Sequence, residues 1–98
     1  MEDVKKRVSP TVYACAGEKN ELNIEIDLPG VKKEDIIFKM DENTFTVKAE
    51  ADDVEYVGLY STGGLVEPDR AVAEFSHERL IATVPYKKMP EEVEIKIE

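Results

Sequence analysis

The feature of this sequence that most restricts its fold is a set of short segments in which apolar and polar residues alternate. In the clearest of them, Glu21 to Leu28, the even-numbered residues are all Leu or Ile, and the odd-numbered residues are acidic or Asn. Alternation with period two places one face of a β-strand against a core and the other face in water. No stretch of ten or more residues repeats its apolar residues at a helical spacing, so the chain is expected to fold from strands.

Further segments have the composition or the alternation of strands, and turn-forming residues separate them. They run from Thr11 to Cys15, Ile36 to Met40, Thr44 to Glu50, Val54 to Tyr60, Ala71 to Ser76 and Leu80 to Val84. Residues 36–50 and 71–84 are each typical of a hairpin. About seven short strands with frequent turn signals favour an all-β, immunoglobulin-like sandwich in which antiparallel pairs dominate. A chain of 98 residues is long enough for one such domain.

The two ends of the chain differ from this middle part. Met1 to Val8 is charged and without periodicity, and we predict a short, poorly ordered arm over residues 1–8. The sandwich domain is predicted over residues 9–86, and a C-terminal extension over residues 87–98. The extension contains Pro90 and ends in "VEIKIE", Val93 to Glu98, whose alternation predicts an isolated strand.

The charge of the chain argues against one class of partner. It has 13 Lys and Arg against 22 Asp and Glu, a net charge of −9, whereas nucleic-acid-binding proteins present a basic face. No apolar run approaches the ~20 residues of a membrane span, and no signal-peptide pattern opens the chain. The sequence therefore predicts a soluble, cytoplasmic protein without nucleic-acid or membrane partners.

No residues form a recognisable catalytic, cofactor or metal site. Cys15 and His77 are the only Cys and His, fewer than the four ligands of a structural zinc site. A single cysteine excludes an internal disulfide, and Cys15 is expected to be a small buried thiol. His77 lies between two predicted strands with no partnered nucleophile, and is expected to be an exposed turn residue. Gly63-Gly64 lacks the lysine of a phosphate-binding loop. We therefore expect no enzyme activity, cofactor, metal or nucleotide.

In their order and spacing, four segments resemble the α-crystallin domain of the small heat-shock proteins, over about Ser9 to Glu98. They are "IEIDLPGVKKEDI" from Ile24, "FTVKAEAD" from Phe45, "AVAEFSHERLIATVPY" from Ala71, and the terminal "IKIE". In the last segment, Ile95-Lys96-Ile97 is similar to the family's I-x-[IV] motif, which follows a proline-containing linker. The chain resembles prokaryotic or archaeal members with a short or truncated N-terminus.

The sequence departs from the family pattern in three places that matter. The family has a long, apolar N-terminal arm, where this chain has the charged residues 1–8. The family hairpin usually carries "N-G-V-L", where this chain has His77-Glu78-Arg79-Leu80. The connection from Glu50 to Tyr56 is shorter than the loop of prokaryotic and plant relatives, whose extra strand is exchanged between subunits. The resemblance does not carry that mode of dimerisation over to this chain.

The resemblance implies an ATP-independent holdase, a chaperone that binds partly unfolded proteins and prevents their aggregation. It also implies assembly into a homodimer or larger oligomer, with Ile95 and Ile97 docked in a groove of a neighbouring subunit. The implied groove lies between two strands that supply Ile36, Phe38, Met40, Ala71, Ala73 and Phe75. These six apolar residues are equally compatible with ordinary core packing. The linker of residues 86–92 reaches at most ~25 Å, which permits docking on a neighbour or on the chain's own domain.

Two other functions are compatible with the same sandwich. One is a co-chaperone adaptor of the CS-domain type, although such adaptors do not end in an I-x-I tail. The other is a structural or accessory subunit of an assembly, such as a gas-vesicle accessory protein. The fold by itself does not discriminate between these functions and a holdase.

Overall fold

Two four-stranded β-sheets form the chain, as seen in a computed structural model that describes residues 5–87 and 93–98. The strands are β1 Lys6–Val8, β2 Thr11–Ala16, β3 Glu21–Asp27, β4 Ile36–Met40, β5 Thr44–Glu50, β6 Val54–Ser61, β7 Val72–Ser76 and β8 Arg79–Pro85. Two short 3₁₀ helices, Lys33–Asp35 and Pro68–Arg70, precede β4 and β7. Within the described residues there is no α-helix. The prediction of an all-β sandwich with mainly antiparallel pairs is confirmed.

The order of the strands determines which of them lie at the edges. The first sheet, called sheet A, has the order β1-β6-β5-β4, and the second, sheet B, has the order β2-β3-β8-β7. The hairpins predicted over residues 36–50 and 71–84 are present as β4–β5 and β7–β8. Only two residues, Ser9 and Pro10, link β1 to β2, so these two edges lie at the same side of the sandwich. The edges β4 and β7 therefore share the opposite side.

The alternation seen in the sequence explains the core. The apolar residues of β3 are all at most 4 % exposed, and they pair in register with the apolar residues of β8, as in Ile24 with Ala82. Strand β5 contributes Phe45, Val47 and Ala49 from sheet A to the same apolar cluster. Burying one Leu or Ile side chain contributes about 1.5–3 kcal/mol before entropic costs. The central strands therefore supply most of the hydrophobic stabilisation.

The Pro29-Gly30 turn ends β3 as a type II turn. Gly30 has φ of +78°, and the N–H of Val31 donates to the carbonyl of Leu28 at 3.3 Å. Glycine adopts this left-handed conformation without the steric cost that a Cβ brings.

The prediction of a poorly ordered N-terminal arm is wrong for residues 6–8. These residues form β1, which pairs in parallel with the start of β6, with Lys6 opposite Val54. The Arg7 side chain also bonds Glu55 at 2.7 Å. A short parallel strand is held by backbone bonds and charge, so it needs no apolar alternation and leaves no periodic signal. Residues 1–4 of the predicted arm lie outside the described residues, and the boundaries of the domain stay a prediction.

The prediction of a buried Cys15 thiol is also wrong, because Cys15 is exposed. It lies on β2 opposite Asn23 of β3, and its side chain shares the outer face of sheet B with that polar residue. A strand at an edge leaves its outward residues covered by neither the core nor a further strand.

The prediction of an isolated strand at the C-terminus is not met. Residues 93–98 have no regular secondary structure, and Val93, Ile95 and Ile97 are 72 %, 76 % and 93 % exposed. An extended segment becomes a strand only when its backbone groups find partners, and within the described residues this segment has none. The part of the linker with Pro90 lies outside the described residues.

Candidate docking edge and C-terminal tail

A row of apolar side chains on β4 lies along one edge of sheet A. Ile36, Phe38 and Met40 pair with the buried residues Ala49, Val47 and Phe45 of β5, so they point towards the interior of the sandwich. They remain only partly buried. Among the strands of the described residues, none lies on the far side of β4, so the core covers this row from one side only.

A second row lies on β7 at the same side of the sandwich. Ala73 pairs with Ala82 and Phe75 with Leu80, so both side chains point inward. Phe75 is partly buried, whereas Ala73 is exposed. Ala71 precedes the strand and is partly buried, and its N–H donates to the carbonyl of Pro68 at 3.2 Å. Two of the three residues are alanines, so this row carries less apolar bulk than the row on β4.

The structure thus brings the six predicted groove residues to one side of the sandwich, in two rows on different sheets. All of them except Ala73 pack against the core cluster. The alternative of ordinary core packing therefore holds in part for these five residues, whose outer surfaces stay accessible. We call the two rows together the β4/β7 edge.

Charged residues stand between the apolar residues of this edge. Lys39 on β4 and Glu74 on β7 occupy outward positions, and both are exposed. The sequence analysis did not select them, although their places between the apolar residues of the alternating segments could have indicated outward positions. Beside the apolar rows, β4 thus carries a positive charge and β7 a negative charge.

The tail presents its two isoleucines to solvent. In an extended segment, residues two apart point the same way, so Ile95 and Ile97 form a pair of apolar anchors on one side. Glu94, Lys96 and Glu98 then point to the other side. Ile97 and Ile95 have the highest exposed fractions among the large apolar residues of the described chain, so a partner that covers them gains apolar burial.

The turn between β7 and β8 departs from the turn of a typical hairpin. His77 and Glu78 have φ of +53° and +63°, the left-handed pair of a type I′ turn that usually selects Asn-Gly. The carbonyl of Glu78 accepts the N–H of Leu28 at 2.8 Å, and its carboxylate accepts the N–H of Gly30 at 2.6 Å. His77 is exposed, and its Nδ1 lies 2.8 Å from the hydroxyl of Ser76.

Hydrogen bonds on the surface stabilise the charged forms of two carboxyl groups. Asp41 accepts the N–H groups of Asn43 and Thr44, both at 2.8 Å, and these bonds lower the pKa of its carboxyl. The bond from Arg7 to Glu55 lowers the pKa of that carboxyl in the same way.

The described part of the chain holds no group of three or more His, Cys, Asp or Glu residues arranged for a metal ion. Among the described residues, no helix has the length and apolarity to cross a membrane.

Solved structures that share this fold are small heat-shock proteins. Heat shock protein 16.0 from Schizosaccharomyces pombe superposes with a TM-score of 0.70 at 23% identity, over 91% of this chain and 99% of that chain. A mutant of Hsp14.1 from Sulfolobus gives 0.71 at 18% identity, over 97% and 86% of the two chains. A small heat-shock protein from Xylella fastidiosa, described as having a distinct high-order structure, gives 0.68 at 19% identity, over 93% and 97%.

These similarities establish that the chain has the β-sandwich fold of the small heat-shock proteins, the α-crystallin domain. No protein-family model and no curated protein sequence matches the chain.

Proposed function

We propose that this chain is an ATP-independent holdase chaperone of the cytoplasm, whose subunits associate by docking the tail of one copy on the β4/β7 edge of another. The observation that carries the proposal is that the tail exposes two isoleucines, while the sandwich has two apolar rows along one side that its core covers only in part. The fold, which is that of small heat-shock proteins, supports the chaperone part of the proposal.

The energetics of docking fit a reversible contact. Complete burial of two isoleucines contributes about 3–6 kcal/mol. Ordering the tail backbone opposes this gain, and so does the loss of translational freedom on association. A single docked tail is therefore weak, and several tails in one assembly reinforce each other through their high effective concentration.

The charges of the tail complement those of the β4/β7 edge. With Ile95 and Ile97 directed at the apolar rows, the charged residues of the tail face outward beside Lys39 and Glu74. A tail carboxylate beside Lys39 and the ammonium of Lys96 beside Glu74 are favourable pairs. These pairs are exposed, so they contribute to alignment more than to affinity.

The exposure of the tail leaves its two isoleucines available for docking on a neighbour. In a single copy, Ile95 and Ile97 are 76 % and 93 % exposed. A tail bound to its own sandwich would remove most of this surface from water. An extended segment that adds to the edge of another sheet is a common mode of recognition, in which backbone bonds give affinity and alternate side chains give specificity.

Partly unfolded proteins offer the same chemistry as the tail. They expose short apolar segments and backbone groups without partners, which an open sheet edge with an apolar row can accept. A tail that dissociates frees the β4/β7 edge for such a client. The net charge of −9 disfavours precipitation of the resulting complexes.

The test is light scattering of a heat-aggregating substrate protein with and without this chain. We expect scattering to fall as the chain approaches an equimolar ratio, without added nucleotide. Bovine serum albumin at the same mass concentration controls for crowding. Unchanged scattering at several-fold excess of the chain would show that it is not a holdase.

A further inference from the structure

One of the four sheet edges in the described chain differs from the others in charge. The edge strand β1 contains Lys6 and Arg7, β4 contains Lys39, and β7 contains Glu74. Charged residues on an edge strand oppose its pairing with another chain. Strand β2, Thr11–Ala16, has the sequence Thr-Val-Tyr-Ala-Cys-Ala and carries no charge, although 36% of the chain is charged. It is thus an edge without this protection.

The backbone groups on the free side of β2 can be assigned from one hydrogen bond. The N–H of Gly17 donates to the carbonyl of Glu21 at 2.7 Å. Because bonded and non-bonded pairs alternate in an antiparallel ladder, the odd-numbered residues of β2 bond β3. The N–H and C=O groups of Val12, Ala14 and Ala16 therefore point away from β3. Within the described residues, no strand pairs with this side.

We infer that β2 pairs with the β2 of a second copy of this chain, antiparallel about a twofold axis through Ala14. In such an isologous contact the same strand of both copies forms the interface. A charged strand would therefore bring like charges of the two copies close together. Two chains of net charge −9 repel each other, and an uncharged edge adds no further like-charge pair where they touch. This argument favours a second copy over a client as the occupant.

The position of the axis follows from the free backbone groups. With Ala14 on the axis, Ala14 pairs with Ala14 of the second copy, and Val12 pairs with Ala16. Every outward N–H and C=O of these three residues then has a partner, whereas an axis at Tyr13 or Cys15 leaves part of them unpaired. The contact joins the two copies of sheet B into one continuous sheet. It lies at the side of the sandwich opposite the β4/β7 edge, so both contacts can form at once.

The pairing makes a specific prediction for two exposed side chains. Tyr13 lies opposite Cys15 of the second copy in a non-hydrogen-bonded pair, where the Cα atoms are about 4.5 Å apart. This separation is within the range that a disulfide spans. The two Cys15 residues of the dimer do not lie opposite each other, because each is two residues further along its strand than the residue opposite the other. Their Cα atoms are therefore about 8 Å apart, too far for a disulfide.

Cysteine cross-linking tests the pairing and its register. We expect Y13C to form a covalent dimer under mild oxidation, seen by non-reducing electrophoresis, with at least tenfold more dimer than the natural chain. The matched control Y13C/C15A leaves one cysteine per chain, displaced again from its counterpart, and should stay monomeric. A second control, V72C/C15A, places an exposed cysteine on the edge strand β7. Equal cross-linking of Y13C and either control overturns the proposal.

A second test keeps the inference independent of the tail. In an I95G/I97G background, where tail docking is removed, we expect light scattering after size-exclusion chromatography to give the mass of a dimer. Ala14 pairs with Ile24 on the inner face of sheet B but is itself exposed at the open edge, so A14E places two carboxylates beside the axis and should halve the mass. The neutral control A14S should leave the dimer intact. A monomeric parent variant, or a dimer that survives A14E, contradicts the β2 pairing.

Discussion

Gly30 and Glu78 are joined by a hydrogen bond of 2.6 Å from the backbone N–H of the glycine to the carboxylate of the glutamate. The bond connects the turn after β3 to the turn between β7 and β8. Glu78 makes it from a left-handed conformation, with φ of +63°. The position thus combines a strained backbone with a stabilising side-chain contact.

This combination predicts different outcomes for two neighbouring glycine substitutions. H77G relieves the strain of a left-handed residue whose exposed side chain is hydrogen-bonded to the neighbouring Ser76, and should raise the free energy of unfolding by about 1 kcal/mol. E78G relieves similar strain but loses the bond to Gly30, so we expect no gain. Urea unfolding followed by circular dichroism measures both. A gain in E78G equal to that in H77G would mean that the Gly30–Glu78 bond contributes nothing.

The packing of Tyr60 predicts a substitution that is destabilising only while the ring is present. Tyr60 stacks on Phe45, with ring centroids 5.2 Å apart, and it also covers Gly58, where an added Cβ would collide with the ring. We expect G58A to cost about 1–3 kcal/mol through overpacking. In a Y60A background the same change should cost much less, so the two effects should not add. Additive effects in thermal unfolding would place the ring elsewhere in solution.

The lowered pKa values of Asp41 and Glu55 predict a loss of stability in acid. Both carboxyls have pKa values below their ordinary 3.8 and 4.5, because hydrogen bonds stabilise their charged forms. A lowered folded-state pKa gives stability that is present above the unfolded pKa and is lost as pH falls through the folded pKa. The loss should therefore begin near pH 4.5 and continue below 3.8.

The variant D41N is the control for this pH dependence, because an amide does not titrate in this range. We expect D41N to be less stable than the natural chain at pH 7 and to lose less stability between pH 5 and pH 3. Denaturant unfolding at a series of pH values checks this. Parallel pH profiles for the two chains would contradict a contribution from Asp41.

The strands of the sandwich could be predicted from sequence wherever burial imposes alternation. Strands β4 and β5 were predicted with their observed bounds, because Ile36 to Met40 and Thr44 to Glu50 each bury one face. β1 was missed because its three residues are held by backbone pairing and by the Arg7–Glu55 bond, neither of which produces alternation.

The exposure of Cys15 and the disposition of the tail depend on neighbours that local sequence does not reveal. Cys15 was expected to be buried on the general preference of free cysteines, and the position of β2 at an edge overrides that preference. The alternation of the tail predicts that Ile95 and Ile97 share a side when the segment is extended. It does not specify a pairing partner, and in a single copy the segment is not a strand.

The proposed charge pairing at the β4/β7 edge predicts a salt-dependent effect. K39E places a carboxylate beside the acidic residues of the tail, and should lower the assembly mass at low ionic strength by weakening docking. The effect should shrink at 0.5 M salt, because exposed pairs are screened. A compensating E94K/E98K change in the tail should restore the mass. A loss that is the same at both salt concentrations, or that is not restored, would contradict the pairing.

The most direct measurement of the central proposal is the assembly mass of I95G/I97G by size-exclusion chromatography with light scattering. Its matched control, E94G/K96G, adds the same number of glycines to the tail but keeps both isoleucines. We predict that the mass of I95G/I97G falls to that of the β2-paired dimer, while E94G/K96G keeps the larger assembly of the natural chain. An unchanged mass in I95G/I97G, or an equal fall in both variants, would contradict docking of the two isoleucines on a neighbouring subunit.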